Sequence, residues 1–110
     1  MVASGTMSVI PDQMLEDVAR RFSLLGDPTR LRVVRSLHDL GECSVQEVAL
    51  AAGITLANAS QHLVRLRDGG VVSRRRAGRS VRYWISDPTI EPLCRTVCAD
   101  IERRLRLVSN

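Results

Sequence analysis

Two short helices separated by a glycine turn are the feature that most constrains the fold of this chain. Ser44-Val45-Gln46-Glu47 is a capping box, in which the first and last side chains satisfy each other's backbone amides, so it predicts the start of a helix. That helix covers residues 44–52 and ends near Gly53, and Thr55 caps a second helix over residues 55–68. Two helices joined through such a turn are typical of a helix-turn-helix.

A hairpin follows the second helix directly. Gly69-Gly70 ends that helix, and residues 71–76 and 80–85 predict two strands joined at Gly78. The apolar residues of the second strand alternate with the others, as Val81, Tyr83 and Ile85 against Ser80, Arg82 and Trp84. We therefore expect one face of the hairpin to pack and the other to be open. A hairpin in this position makes the helix-turn-helix winged.

Three further amphipathic helices flank this motif. Pro11-Asp12 opens the first, which Gly26 stops, and Asp27-Pro28 starts the second, which ends near residue 40. The last helix covers residues 89–108 and carries one continuous apolar stripe. The stripe consists of Ile90, Leu93, Cys94, Val97, Cys98, Ile101, Leu105 and Val108. The predicted fold is therefore mostly α, with five helices and one small β-hairpin between the fourth and the fifth.

Positive charge is concentrated on the end of the motif and on the hairpin. Residues 65–82 hold seven of the sixteen basic residues, all of them arginine, against the single acid Asp68. The whole chain has a net charge of only +4, so this charge is local. A compact basic surface beside a helix is typical of proteins that dock on nucleic-acid phosphates. We therefore predict that the chain binds double-stranded DNA.

The exposed face of the second helix of the motif supplies candidates for base contacts. Asn58 and Gln61 carry amides, whose geometry pairs bidentately with adenine in the major groove. His62 lies beside apolar positions, so it is either a packing residue or a further DNA contact. Phosphate contacts set register rather than sequence. The residues suited to them are Thr55, Ser60 and Arg65.

The hairpin supplies candidates for contacts with the DNA backbone and the minor groove. Its arginines are Arg74, Arg75, Arg76, Arg79 and Arg82. We assign DNA contacts to four of them, namely Arg74, Arg76, Arg79 and Arg82, with Arg79 near enough to the tip to enter a flanking minor groove. Because the strands alternate, some of these arginines are expected to pair with Asp or Glu of the same molecule.

The remaining composition bounds domain organisation and compartment. We expect residues 11–108 to form one DNA-binding and dimerisation domain, and residues 1–10 to be a disordered lead-in in which Met7 is a candidate natural start. No stretch is apolar enough to span a membrane and the N-terminus lacks the basic start of a secretion signal, so we expect a cytoplasmic protein with no membrane partner. The three cysteines are then expected to be reduced thiols.

Motifs along most of the chain resemble those of the ArsR/SmtB bacterial repressors. The matching stretches are Asp27-Pro28-Thr29-Arg30-Leu31-Arg32, Ser44-Val45-Gln46-Glu47-Val48-Ala49, Ser60-Gln61-His62-Leu63-Val64-Arg65-Leu66-Arg67, Gly69-Gly70-Val71-Val72 and Ala77-Gly78-Arg79-Ser80-Val81-Arg82-Tyr83. Their order and spacing agree from about residue 14 to residue 108. The resemblance implies a winged-helix repressor that dimerises through its first and last helices, binds a palindromic operator, and is released by an inducer, often a metal ion.

The resemblance also implies where an inducer would bind. One family site uses Cys-x-Cys near the start of the third helix, where this chain has Ser44-Val45-Gln46 with Cys43 just outside. Another uses Asp and His on the last helix, and the matching positions here are Asp87, Thr89, Asp100 and Arg103. Only Asp87 among these is the residue that the family's site has at that position, and an arginine is not a ligand. We therefore assign no metal site of either type.

Cys94 and Cys98 remain as candidate inducer residues. They lie four residues apart on one face of the last helix, so their thiolates can share a soft metal or metalloid, or act as a redox pair. Both positions also belong to the apolar stripe, where a free cysteine is commonly a small buried hydrophobe. Cys43 is a third candidate, should a dimer bring it near the other two.

Two other functions stay open at this point. One is a DNA-binding regulator that is constitutive or controlled by a partner and has no metal site. The other is a thiol- or metal-binding dimer whose DNA binding is vestigial. An enzyme is not expected, because the sequence has no glycine-rich phosphate loop, no Ser/His/Asp set and no closely spaced pair of acids.

Overall fold

The computed structural model describes residues 9–109. A short 3₁₀ turn, Asp12–Met14, leads into the main elements. These are α1 (Leu15–Leu25), α2 (Pro28–Leu40), α3 (Val45–Ala52), α4 (Leu56–Asp68), β1 (Val72–Ala77), β2 (Ser80–Ile85) and α5 (Ile90–Ser109). This order confirms the predicted fold class. The first α-helix begins later than predicted, and the three residues before it form the 3₁₀ turn. The lead-in expected at residues 1–10 falls almost entirely outside the described residues.

Helices α2, α3 and α4 enclose the core. Val33 and Leu37 of α2, Val48 of α3, and Leu63 and Leu66 of α4 are fully buried or nearly so. Burying one such side chain contributes about 1.5–3 kcal/mol relative to leaving it exposed. The three helices therefore form the unit on which the hairpin and the outer helices are placed.

Local signals fix the turn between α3 and α4. The Ser44 hydroxyl oxygen accepts a hydrogen bond from the Glu47 amide at 3.2 Å, and Glu47 Oε1 accepts one from the Ser44 amide at 2.8 Å. Gly53 follows α3 in the left-handed conformation, with a φ of 68°. Thr55 Oγ1 then accepts from the Asn58 amide at 3.1 Å and so caps α4. The predicted capping box and cap are thus confirmed.

A single antiparallel β-bridge joins the hairpin to the core. β1 and β2 pair antiparallel, with Arg74 opposite Tyr83 and Arg75 opposite Arg82. On the other edge of β2, the Tyr83 amide donates to the Cys43 carbonyl at 2.8 Å and the Cys43 amide donates to the Tyr83 carbonyl at 3.0 Å. Because Cys43 directly precedes the N-cap of α3, this backbone pair ties the wing to the start of the helix-turn-helix.

Helices α1 and α5 present exposed apolar faces. Phe22 on α1 and Val97, Ile101 and Val108 on α5 are each about half exposed or more. An open groove of about 970 Å³ lies along α5, and α1 and α2 form its other side with mostly apolar side chains. Among the described residues, no helix is both long and apolar enough to cross a membrane.

Ion pairs run along the sides of α5. Glu91 Oε1 accepts from Arg95 at 2.6 Å, and Asp100 Oδ2 accepts from Arg104 at 2.7 Å. Glu102 and Arg106 form a third pair with the same four-residue spacing. Such pairs stabilise an isolated helix by about 0.2–0.5 kcal/mol each. They support a helix whose residues 101–108 are all exposed in the single chain.

Candidate DNA-binding surface and thiol pair

Helix α4 has one buried face and one open face. Ala59, Leu63 and Leu66 point into the core. The side chains predicted to meet bases or phosphates from this helix are all exposed, and they are Asn58, Ser60, Gln61 and Arg65. Thr55 is exposed as well, although its hydroxyl oxygen already caps α4. Five of the six predicted contact residues of this segment are therefore exposed.

His62 is the exception, because it packs against α2. Its ring is half-buried and its Nδ1 accepts a hydrogen bond from Arg30 Nε at 3.4 Å. Arg30 is only 8% exposed and also donates to the carbonyls of Leu24 at 3.2 Å and Ser23 at 3.5 Å, at the end of α1. The guanidinium thus joins α1, α2 and α4. These contacts support the packing alternative for His62, and its DNA contact stays a prediction.

Five arginines of α4 and the hairpin are exposed and have no acidic partner among residues 9–109. They are Arg65 and Arg67 of α4 and Arg74, Arg76 and Arg79 of the hairpin. Arg79 follows Gly78, whose φ of 64° permits the tight two-residue turn at the tip. Arg67 was not among the predicted contacts, although it lies in the arginine-rich segment 65–82.

The other two arginines of that segment are held by acids at the start of α3. Arg75 lies 2.5 Å from Glu42 Oε1, and Arg82 donates to Glu47 Oε1 at 3.0 Å and to the Glu42 carbonyl at 2.9 Å. We call these four residues, Glu42, Glu47, Arg75 and Arg82, the wing clamp. Arg82 is therefore engaged by acids within the molecule, and its assignment to DNA contact stays a prediction.

The capping box also lowers the pKa of Glu47, the acid that holds Arg82. Hydrogen bonding to Ser44 is the main reason that the pKa of Glu47 lies below its ordinary value, and the charge of Arg82 lowers it further. Glu47 is therefore a carboxylate at neutral pH. Sequence reasoning identified Glu47 as a cap but missed its second role, since Arg82 lies 35 positions away along the chain.

The three cysteines occupy different environments. Cys43 is 1% exposed in the core, and burial together with the nearby Glu47 carboxylate raises the pKa of its thiol. This placement removes Cys43 from the candidate inducer residues. Cys94 is half-buried and Cys98 is exposed, and both line the groove along α5. Burial raises the pKa of Cys94, and the neighbouring Cys98 raises it further.

Asp87 is engaged as a cap at the start of α5. Its Oδ1 accepts from the Thr89 amide at 2.9 Å and from the Thr89 hydroxyl at 2.7 Å, while Arg21 lies 3.0 Å from Oδ2. Burial would raise the pKa of this carboxyl, but the bonds from Thr89 and the charge of Arg21 outweigh it and hold the pKa below its ordinary value. No group of three or more His, Cys, Asp or Glu able to hold a metal occurs in the described chain.

Known proteins are similar to this chain in both sequence and architecture. A helix-turn-helix domain family model matches residues 25–75. A probable mercury resistance operon repressor from Streptomyces lividans is 37% identical over 93 residues, which are 84% of this chain and 74% of that protein.

Solved structures agree with these matches. The homodimeric winged helix-turn-helix DNA-binding domain of a possible ArsR-family regulator from Mycobacterium bovis, with 31% identity, gives a TM-score of 0.74 over 90% of this chain and 94% of that one. The antimony-specific transcriptional repressor AntR, with 26% identity, gives 0.80 over 93% and 92%.

The helix-turn-helix, its wing and these likenesses lead to one conclusion. The chain belongs to the ArsR/SmtB family of winged helix-turn-helix transcriptional repressors.

Proposed function

We propose that two copies of this repressor bind a palindromic operator and leave it when a thiophilic inducer binds Cys94 and Cys98. The observation that carries the DNA-binding part is the set of five exposed arginines that have no acidic partner among the described residues. Neutralising phosphates with such side chains supplies most of the affinity for DNA. An intact surface of this kind also argues against vestigial DNA binding.

Pairing through α1 and α5 explains the apolar faces of these two helices. The single chain leaves Phe22, Val97 and Ile101 about half exposed, next to a groove of about 970 Å³. A large apolar surface of this kind favours association. The Mycobacterium bovis relative is homodimeric. A two-fold dimer presents two recognition helices to half-sites about one DNA turn apart, and its operator is then palindromic.

Ile101→Glu is expected to make the protein monomeric, because it places a charge on the apolar face of α5. Sedimentation equilibrium measures the change in mass. Leu50→Glu is the matched control, since Leu50 is 86% exposed on α3 and belongs to neither α1 nor α5. A dimeric Ile101→Glu variant, or a monomeric control, would contradict pairing through this face.

Base recognition is assigned to Gln61 and Asn58. Both side chains are exposed on α4, and neither is engaged by another described side chain. Each amide can donate its N–H to adenine N7 and accept, through its carbonyl oxygen, from the adenine N6 amino group, which is the bidentate pattern adenine presents in the major groove. The arginines around them carry affinity that is largely independent of sequence.

Gln61→Ala is expected to relax base preference at one position of each half-site by about 1–3 kcal/mol. The measurement is competition between operator variants in a mobility-shift assay. Gln13→Ala removes the same amide from the 3₁₀ turn before α1 and serves as the control. Unchanged discrimination in Gln61→Ala would exclude Gln61 as a base-reading residue.

Arg74→Ala and Arg79→Ala are expected to weaken binding to every DNA sequence. Each substitution removes two phosphate contacts per dimer, so the slope of log affinity against log salt falls by about two. Arg20→Ala removes the same charge from α1, where Arg20 is paired with Asp17, and should leave the slope unchanged. An equal slope in all three variants would refute the role of the wing arginines.

The inducer is assigned to Cys94 and Cys98 by their chemistry and by their position on α5. Thiolates are soft ligands, and residues four apart on a helix share one face. Two thiols per chain fit a two-coordinate soft metal ion or a disulfide or persulfide, and a metalloid that needs three thiolates would take the third from elsewhere. The relatives above include repressors named for mercury resistance and for antimony. Binding at this pair would act on the helix that joins the two copies.

Cys94→Ser and Cys98→Ser are expected to bind the operator with unchanged affinity and to resist release by Hg²⁺, arsenite or persulfide. Mobility shifts with each reagent added in turn test this and show which class of inducer acts. Cys43→Ala is the thiol control and should still be released, because Cys43 is buried. Normal release of both serine variants would exclude the pair as the inducer site, whereas a wild-type protein that none of the reagents releases would support a constitutive or partner-controlled regulator.

A further inference from the structure

The wing clamp resolves an electrostatic conflict within the hairpin. Arg75 and Arg82 lie directly opposite each other on β1 and β2. Like charges in that position destabilise a pair of strands. Glu42 Oε1 lies 2.5 Å from Arg75 and 4.0 Å from Arg82, and Glu47 Oε1 lies 3.0 Å from Arg82. The two acids therefore hold both guanidinium groups on one side of the hairpin.

The backbone holds these acids in place. Glu42 precedes Cys43, whose amide and carbonyl both bond to Tyr83, and its own carbonyl accepts from Arg82 at 2.9 Å. Glu47 is fixed by the capping box with Ser44. The side chain of Arg82 is consequently only 30% exposed, less than any other side chain of the clamp. The clamp thus connects the hairpin to the first turn of α3 at fixed positions.

The hairpin arginines assigned to DNA, other than Arg82, lie outside the clamp. Successive residues of a strand point to opposite faces, so Arg74 and Arg76 lie on the other face of the hairpin from Arg75 and Arg82. The clamp therefore divides the hairpin arginines into a pair that orients the wing and a set that is free to meet phosphates.

We propose that Glu42 and Glu47 are positioning residues for operator binding, which set the wing at the distance from α4 that lets both reach one DNA site. This inference rests on the proposed operator binding. Both acids lie near a surface that binds an anion, where a negative charge by itself weakens binding. Orientation of the wing explains why the two acids lie there, since their charge alone would only weaken DNA binding.

A charge effect and a positioning effect predict opposite changes in DNA affinity, so one experiment distinguishes them. Removing the acids raises DNA affinity if they only reduce local charge, because Arg75 and Arg82 then become free for phosphates and the salt slope steepens by up to four in a dimer. Removing them lowers operator affinity if they position the wing.

The variant is Glu42→Gln/Glu47→Gln, in which glutamine at position 47 still completes the capping box. Operator DNA is selected from a random pool by the wild-type protein, and affinity for it and for unrelated DNA is measured over a range of salt. We expect operator affinity to fall about tenfold, because each exposed ion pair contributes at most a factor of about five and the variant removes more than one such pair. We expect no loss on unrelated DNA, and only a small decrease in melting temperature, because exposed ion pairs contribute little to folding.

Two further variants complete the experiment. Asp39→Asn removes one negative charge from the last turn of α2, close to Glu42 in sequence and without an ion pair among residues 9–109, and should not lower operator affinity. Glu42→Arg/Arg75→Glu keeps the net charge and restores one ion pair, so it should bind the operator better than Glu42→Gln/Arg75→Gln.

Higher operator affinity with a steeper salt slope in Glu42→Gln/Glu47→Gln would overturn the inference, as would unchanged affinity. An equal loss on operator and unrelated DNA together with a much lower melting temperature would also overturn it, since that result indicates lost folding rather than lost orientation. If the wild-type protein selects no DNA sequence at all, the proposed function fails and this inference fails with it.

Discussion

The backbone pair between Cys43 and Tyr83 is the contact on which the DNA-binding half of the molecule depends. A two-stranded hairpin is marginally stable alone in water. Here its second strand gains two further hydrogen bonds, of 2.8 and 3.0 Å, from the residue that leads into α3. Tyr83 and Cys43 are both buried as a result. The wing is thereby part of the same core as the helix-turn-helix, and its arginines keep a fixed relation to α4.

Arg30 also joins separate elements, in this case α1, α2 and α4. It bonds the last carbonyls of α1 and the ring of His62 on α4 while its own backbone lies in the first turn of α2. Arg30 therefore links α1, at the proposed dimer interface, to α4, and Leu24 of α1 also lies close to Gly69 at the end of α4. Coupling between inducer and operator needs such a physical link between two sites.

Most of the fold could be predicted because its signals are local. The capping box at Ser44, the cap at Thr55 and the turn at Gly78 act within a few residues, and the structure contains all three. The site was less predictable because charge pairing is not local. Arg82 and Arg79 have the same chemistry in the sequence, and only the folded position of Glu47 separates a clamping arginine from a free one. The role of His62 was equally ambiguous in the sequence, because its hydrogen bond to Arg30 joins residues 32 positions apart.

The spacing of charges on α5 has a consequence for assembly. Three acid–arginine pairs at four-residue spacing support a helix whose distal residues 101–108 lack cover in the single chain. Such a helix is already formed before another copy arrives. Association then orders side chains but little backbone, and the encounter resembles the docking of two rigid bodies more than folding upon binding.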